Sequence, residues 1–167
     1  NRGGYGTITL AEALHASSNV GISKTIMKAY GAKPSEFVEK LYRMKIADMM
    51  NLEIPGTAKP LIKHPKKNPD MWYKTTLAWM SVGYETMMPP IYTLAFYNSI
   101  ANNGIFVRPR FVKALMKNGQ VLKTFEPDII NPAICKPSTI KDLQEVLIGV
   151  VEGKKGTAHN VKSNIVR

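Results

Sequence analysis

The stretch Thr7-Ile8-Thr9-Leu10-Ala11-Glu12-Ala13-Leu14-His15-Ala16-Ser17-Ser18-Asn19-Val20-Gly21 decides how the chain is read. Thr9 followed three residues on by Glu12 makes a capping box, in which each side chain satisfies a backbone N–H of the first helical turn. Leu10, Ala13 and Leu14 then share one face of a short helix. Ser17-Ser18-Asn19 interrupts it, because these side chains compete for backbone hydrogen bonds and favour caps and turns. A second helix places Ile22, Ile26 and Tyr30 on one stripe and stops at Gly31. The polar tripeptide therefore lies at a corner between two helices. A hydroxyl and a carboxamide at such a corner suit acyl transfer, since one relays a proton and the other holds an amide from two sides. Ser18 or Asn19 also serves as a plain N-cap of the second helix. From the tripeptide alone that cap is the better reading, because Ser-x-Asn is common.

Further along, Pro34 and Glu36 open a third helix with an apolar stripe of Phe37, Val38, Leu41 and Tyr42. Residues 51–74 dissolve into a long loop punctuated by Pro55-Gly56, Pro60, Pro65 and Pro69. Residues 75–84 read as a short apolar strand closed by Gly83. Pro89-Pro90 start a helix that runs to Asn103 and is capped by Gly104. Ile91, Leu94, Ala95, Phe96, Tyr97, Ile100 and Ala101 make it apolar nearly all round, which predicts burial. Asn118-Gly119 marks a type I′ hairpin between residues 111–116 and 120–125. Ser138 reads as the cap of a final helix carrying Leu143, Val146, Leu147 and Val150, and Ile165-Val166-Arg167 as an unfinished strand.

Composition narrows the class. Hydrophobic residues make up 44% of the 167, enough for a real core, which argues against disorder. No apolar run reaches the roughly 20 residues of a membrane helix. Asn1-Arg2-Gly3-Gly4-Tyr5 has neither an initiator Met nor an apolar leader, so the start reads as a cut inside a longer chain. Lys and Arg number 23 against 12 acids, a net +11, concentrated in residues 59–74, 108–123 and from 154 onward. Such stretches can bind nucleic acid or an anionic surface, or simply solvate a face. No zinc-finger spacing, RNA-binding aromatic motif or basic zipper accompanies them. A lone Cys135 excludes an internal disulfide framework and reads as an inert, partly buried thiol. His15, His64 and His159 are too scattered for a metal site and read as surface or cap residues. The nine Met read as core filler, and Trp72 and Trp79 as packing anchors.

The run from Thr7 to Gly21 closely resembles the second catalytic motif of penicillin-binding protein transpeptidases, the enzymes that cross-link peptidoglycan. Ser81-Val82-Gly83-Tyr84-Glu85 with Pro89-Pro90 resembles the family's lead into a long helix, and Ile100-Ala101-Asn102-Asn103-Gly104 the pattern that ends it. Val150-Val151-Glu152 with Gly156-Thr157-Ala158 resembles the stretch just before the third motif. These segments follow one another in the family's order over nearly the whole chain.

The resemblance implies an α/β (α+β) fold class: a helix-rich fragment of the β-lactamase/transpeptidase-like fold with a β-hairpin. It further implies a class B penicillin-binding protein, with residues 81–104 most similar to the division-associated branch. Such a protein is a serine D,D-transpeptidase that acts on peptidoglycan stem peptides through an acyl-enzyme and binds β-lactam antibiotics. It needs no metal or organic cofactor. Its implied place is the cell envelope, at the outer face of the cytoplasmic membrane or periplasm, anchored by an N-terminal membrane helix outside this segment. Cell-division or elongation proteins are the implied partners, and nucleic acid is not. By the same resemblance Ser17 is catalytic and relays a proton toward the leaving amine. Asn19 is catalytic and substrate-binding, and Ser18 is the variable middle residue.

Two departures matter. The family's cleft joins Ser-x-x-Lys, Ser-x-Asn and Lys-Ser/Thr-Gly. Ser138-Thr139-Ile140-Lys141 fits the first pattern, but it follows Ser-x-Asn, and Lys141 falls on the wet face with Gln144 and Glu145. Lys154-Lys155-Gly156 lacks the hydroxyl residue of the third. Residues 1–167 are thus expected to be a partial transpeptidase (penicillin-binding) domain without those two segments, inactive by itself. Two other readings remain: a non-catalytic β-lactam sensor or interaction domain of the same fold, and a basic nucleic-acid-binding module.

Overall fold

Helical spacing of apolar residues governs the first quarter of the chain, and the backbone follows it. The computed structural model describes residues 4–163. In order, the helices are α1 (Leu10–His15), α2 (Asn19–Tyr30), α3 (Pro34–Arg43), α4 (Thr76–Met80), α5 (Pro90–Ala101) and α6 (Pro137–Glu152). The strands are β1 (Leu61–Ile62), β2 (Thr86–Met87), β3 (Phe106–Val107), β4 (Ala114–Lys117), β5 (Gln120–Thr124) and β6 (Ile129–Asn131). Single 3-10 turns occur at Pro69–Met71 and His159–Val161. Two compact units result: one takes the chain up to Val38, Lys63–Thr86 and Lys141 onward, the other Glu39–Ile62 and Met87–Ile140. No helix among the described residues is long and apolar enough to cross a membrane. The expected strand at Ile165-Val166-Arg167 lies outside the described residues.

In the first unit the predicted capping box is present. The Thr9 N–H donates to Glu12 Oε2 at 2.9 Å, and the Glu12 N–H donates back to Thr9 Oγ1 at 3.2 Å. Of the expected α1 face, Ala13 is buried whereas Leu10 is half exposed. A Cβ added at Gly21 would meet Ala13 Cβ at 2.9 Å, so the glycine is what lets α1 and α2 approach. Ser23 and Ser81 both direct their hydroxyls at the Ala78 carbonyl, at 2.9 and 2.7 Å, tying α2 to α4. The core contains Ala13, Val38, Leu77 and Met80.

Several expectations in this unit are corrected. The strand expected over 75–84 is helix α4, with Thr76, Leu77 and Met80 buried at helical spacing. A short apolar run carries too few residues to distinguish the two periods. His64 is buried, not superficial: its Nδ1 accepts the Lys66 N–H at 3.1 Å and organises the loop before Pro69. Lys63 forms an ion pair with Glu85 there. Trp79 is half exposed, its ring edge-on to Tyr84. Of the methionines expected as core filler, Met80 is core here; in the second unit Met50 is core, whereas Met87 and Met116 are largely exposed.

The second unit packs α5 against β3, which pairs antiparallel with β6. Tyr92, Ala95, Ser99 and Ile100 of α5 join Ile46, Met50, Phe106, Ile134 and Ile140 in its core. The Tyr92 hydroxyl accepts the Met50 N–H at 2.9 Å, so a buried polar atom is satisfied. Burial on α5 is one-sided, contrary to expectation, because Leu94 and Tyr97 are exposed. The helix also ends at Ala101, before Asn103. Asn103 sits at φ 54° and Gly104 at φ 88°, and the Gly104 N–H reaches back to the Ser99 carbonyl at 2.7 Å. That is a Schellman stop with Asn in the left-handed position.

The hairpin matches the Asn-Gly signal. Asn118 and Gly119 have φ 53° and 79°, both positive as a type I′ turn requires. Its ladder is shorter than expected, 114–117 against 120–124, with a bulge between Leu115 and Met116. Arg110 and Lys123 lie 5.4 and 4.9 Å from the Phe125 ring centroid, and Arg108 Nε pairs with Asp128 at 2.7 Å. Part of the 108–123 basic stretch is thereby spent on anchoring the hairpin base. The final helix begins at Pro137, so Ser138 is inside its first turn and is not its cap.

Candidate active site

The corner between α1 and α2 is a second Schellman stop. Ala16 is the C-cap of α1; the Ser17 N–H donates to the Leu14 carbonyl at 3.0 Å and the Ser18 N–H to Ala13 at 2.8 Å. This pattern puts Ser17 in the left-handed position, at φ 49°, where glycine is the usual occupant. A non-glycine residue there costs on the order of 1 kcal/mol, and such strain clusters at functional sites. Ser18 Oγ caps α2 by accepting the Gly21 N–H at 3.2 Å. Asn19 is the first residue of α2. The capping role thus falls to the middle serine, which leaves the hydroxyl of Ser17 and the carboxamide of Asn19 for other work.

Both candidate residues are exposed. Among the described residues Ser17 Oγ has one side-chain partner, Thr157 Oγ1 at 2.8 Å. The Asn19 carboxamide makes no hydrogen bond to another described residue. Thr157 arrives from the segment after α6, and its N–H donates to the His15 carbonyl at 3.2 Å. A Cβ at Gly156 would lie 2.3 Å from the Val150 carbonyl oxygen, so only glycine lets this segment fold back over the end of α6. Lys155 reaches Glu12 Oε1 at 3.7 Å. The Thr9 N–H and hydroxyl, and less so Lys155, hold the Glu12 carboxyl below its ordinary range.

His15 is not the superficial residue expected. Its Nε2 is buried against Gly149 of α6, with no hydrogen-bond partner among the described residues. Ser138 and Lys141 are both exposed on α6, as expected of a chance Ser-x-x-Lys match. Burial raises the pKa of the half-buried Cys135 thiol, in keeping with its reading as unreactive. Thr157 is the residue that sequence reasoning passed over as part of the site. Its signals were its place in the Gly156-Thr157-Ala158 resemblance and the adjacent Gly156, whose steric need is invisible without the fold.

Comparison with known proteins now identifies the class. The family profile of the penicillin-binding protein transpeptidase domain matches residues 1–167, and the chain belongs to that family. Among curated relatives, penicillin-binding protein PbpB of Mycolicibacterium smegmatis is 28% identical over 137 residues, covering 81% of this chain and 20% of the relative. PbpB of Mycobacterium tuberculosis is 26% identical over the same length, covering 81% of this chain and 19% of its own. The chain therefore spans about a fifth of the length of the curated relatives it matches. Among solved structures, the D,D-transpeptidase domain of a peptidoglycan glycosyltransferase from Eggerthella lenta has a TM-score of 0.80 at 19% identity, covering 98% of this chain and 41% of that one. The transpeptidase domain of Burkholderia pseudomallei penicillin-binding protein 3 has a TM-score of 0.74 at 25% identity, covering 96% and 44%. The α/β transpeptidase-like fold class is as expected.

Proposed function

We propose that this chain supplies the Ser-x-Asn corner of a serine D,D-transpeptidase that cross-links peptidoglycan stem peptides in the bacterial cell envelope. In this reading residues 1–167 are the middle of the catalytic domain, with Ser-x-x-Lys and Lys-Ser/Thr-Gly contributed by flanking chain. Acylation forms an ester between the nucleophilic serine and the substrate carbonyl as the amide C–N bond breaks, and the serine's proton ends on the leaving nitrogen. Ser17 passes that proton on, and Asn19 orients the substrate amide. The carrying observation is the exposed Ser17 hydroxyl, held in the left-handed position and free of capping duty because Ser18 performs it. β-Lactam antibiotics fit the same site. Ampicillin is bound in a crystal structure of Mycobacterium tuberculosis penicillin-binding protein 3, to which this chain is similar with a TM-score of 0.69 and 25% identity. The wording of residues 81–104 supports a place in cell division, with division proteins as partners and an N-terminal membrane anchor.

The test is labelling with a fluorescent penicillin. A full-length protein carrying this segment should form a stoichiometric adduct, and Ser17→Ala should slow its formation by roughly a hundredfold, the lower range for a lost proton-transfer group. Residues 1–167 alone should form none. An adduct on the isolated chain, or an unimpaired Ser17→Ala protein, would refute the reading.

A further inference from the structure

We infer that Thr157 is a positioning residue for the reaction, setting the direction in which the Ser17 hydroxyl presents its proton. This rests on the transpeptidase reading of Ser17. The observation is the 2.8 Å contact between Ser17 Oγ and Thr157 Oγ1, made between residues 140 apart in sequence. A hydroxyl carries one proton and two lone pairs, so two hydroxyls in contact share a single proton between them. With Thr157 as the donor, one lone pair of Ser17 is occupied and its own proton is turned away from Thr157, toward the leaving amine. Were Ser17 the donor, its proton would be taken up in the contact with Thr157 Oγ1 and would not face the substrate.

The surroundings hold Thr157 in place for this task. Its N–H is bound to the His15 carbonyl at 3.2 Å, and the next N–H, of Ala158, to Val150 at 3.1 Å. Gly156 lies tight against the end of α6, where a Cβ would be 2.3 and 2.8 Å from two carbonyl oxygens. The segment thus grips the α1 corner at His15 and the last turns of α6 at once. A β-branched side chain at 157 adds a stiff χ1, so the hydroxyl is fixed with little entropy left to lose. Ser17, strained at φ 49°, has its backbone set by the Schellman bonds and its side chain by Thr157. Glu12 and Lys155, 3.7 Å apart, add a second side-chain link between α1 and the segment after α6.

The experiment uses the full-length protein carrying this segment and measures acylation by a fluorescent penicillin across concentration. Thr157→Val keeps the shape but removes the hydroxyl. It should lower the saturating acylation rate about tenfold, the worth of one well-placed hydrogen bond, and leave the half-saturating concentration within about twofold. Thr157→Ser should restore the rate to within about twofold. In the Ser17→Ala background, Thr157→Val should cost nothing more, because its effect passes through that hydroxyl. Three results would overturn the inference: a parental rate for Thr157→Val, failure of Thr157→Ser to rescue at unchanged thermal stability, or losses that multiply in the double variant. A parental rate for Ser17→Ala is a separate outcome, which removes the underlying transpeptidase reading as well.

Discussion

Gly149→Ala tests how the corner is braced. A methyl group at this position would lie 2.2 Å from His15 Nε2, 2.5 Å from Cε1 and 3.0 Å from Cδ2. Ordinary packing between such atoms is about 3.5–4.0 Å, so the ring must move by more than ~1 Å. The imidazole has little slack, since its Nε2 is buried and the carbonyl of the same residue binds Thr157. Two effects oppose each other. Replacing a helix-interior glycine by alanine gains up to about 1 kcal/mol of helix propensity, whereas overpacking costs about 1–3 kcal/mol. With three ring atoms in conflict the upper part of that range applies, for a net loss of about 1–2 kcal/mol. In a chain of this size that is a fall in melting temperature of roughly 3–6 °C. Thermal unfolding monitored by circular dichroism measures it. The His15→Ala background should abolish the penalty and expose the propensity gain, giving a coupling of opposite sign. If Gly149→Ala is more stable than the parent protein, the close approach of α6 to His15 is not a real constraint and the reasoning fails.

Two further outcomes follow from the corner's hydrogen bonds. The Glu12 carboxyl is held below its ordinary value of 4.5 when folded, first by the Thr9 N–H and then by its hydroxyl. A depressed folded pKa means stability that is complete above the unfolded value and lost as pH falls through the folded one, so melting measured from neutral pH down to about pH 3 should show an acid slope that Glu12→Gln shallows; an identical slope in both proteins would count against the capping box. Ser18→Ala should lose about 1 kcal/mol in denaturant unfolding, because the Gly21 N–H loses its acceptor, whereas Ser18→Asp should stay within a few tenths. Equal stability of all three proteins would mean that Ser18 is not the cap of α2.

What the sequence made legible was local. Thr9 and Glu12 announce the start of α1, Asn118-Gly119 the hairpin, and Pro89-Pro90 the start of α5, because each signal acts within a few residues of itself. The Ser-x-Asn corner was legible in the same way, from polar residues breaking a helical stripe. Where the deciding contact is distant, the signal disappears. Residues 75–84 are apolar under either period, and the burial of Thr76, Leu77 and Met80 at helical spacing shows only once the fold is known. His64 looks like any loop histidine until Asn68 and Lys66 wrap it. The exposure of Leu94 and Tyr97 depends on what surrounds α5, which its own composition does not encode. Thr157 meets Ser17 only because Gly149 and Gly156 let chain come close, and neither glycine says so in sequence.

The left-handed serine has a practical consequence for anyone seeking a sturdier protein. Ranked by backbone preference, position 17 at φ 49° is an obvious place to introduce glycine, and the swap should relieve about 1 kcal/mol of strain. It would also erase the hydroxyl on which catalysis is proposed to depend. Under that proposal, thermostability and acylation are set against each other at a single side chain, and library selections driven by heat alone are expected to drift toward glycine there.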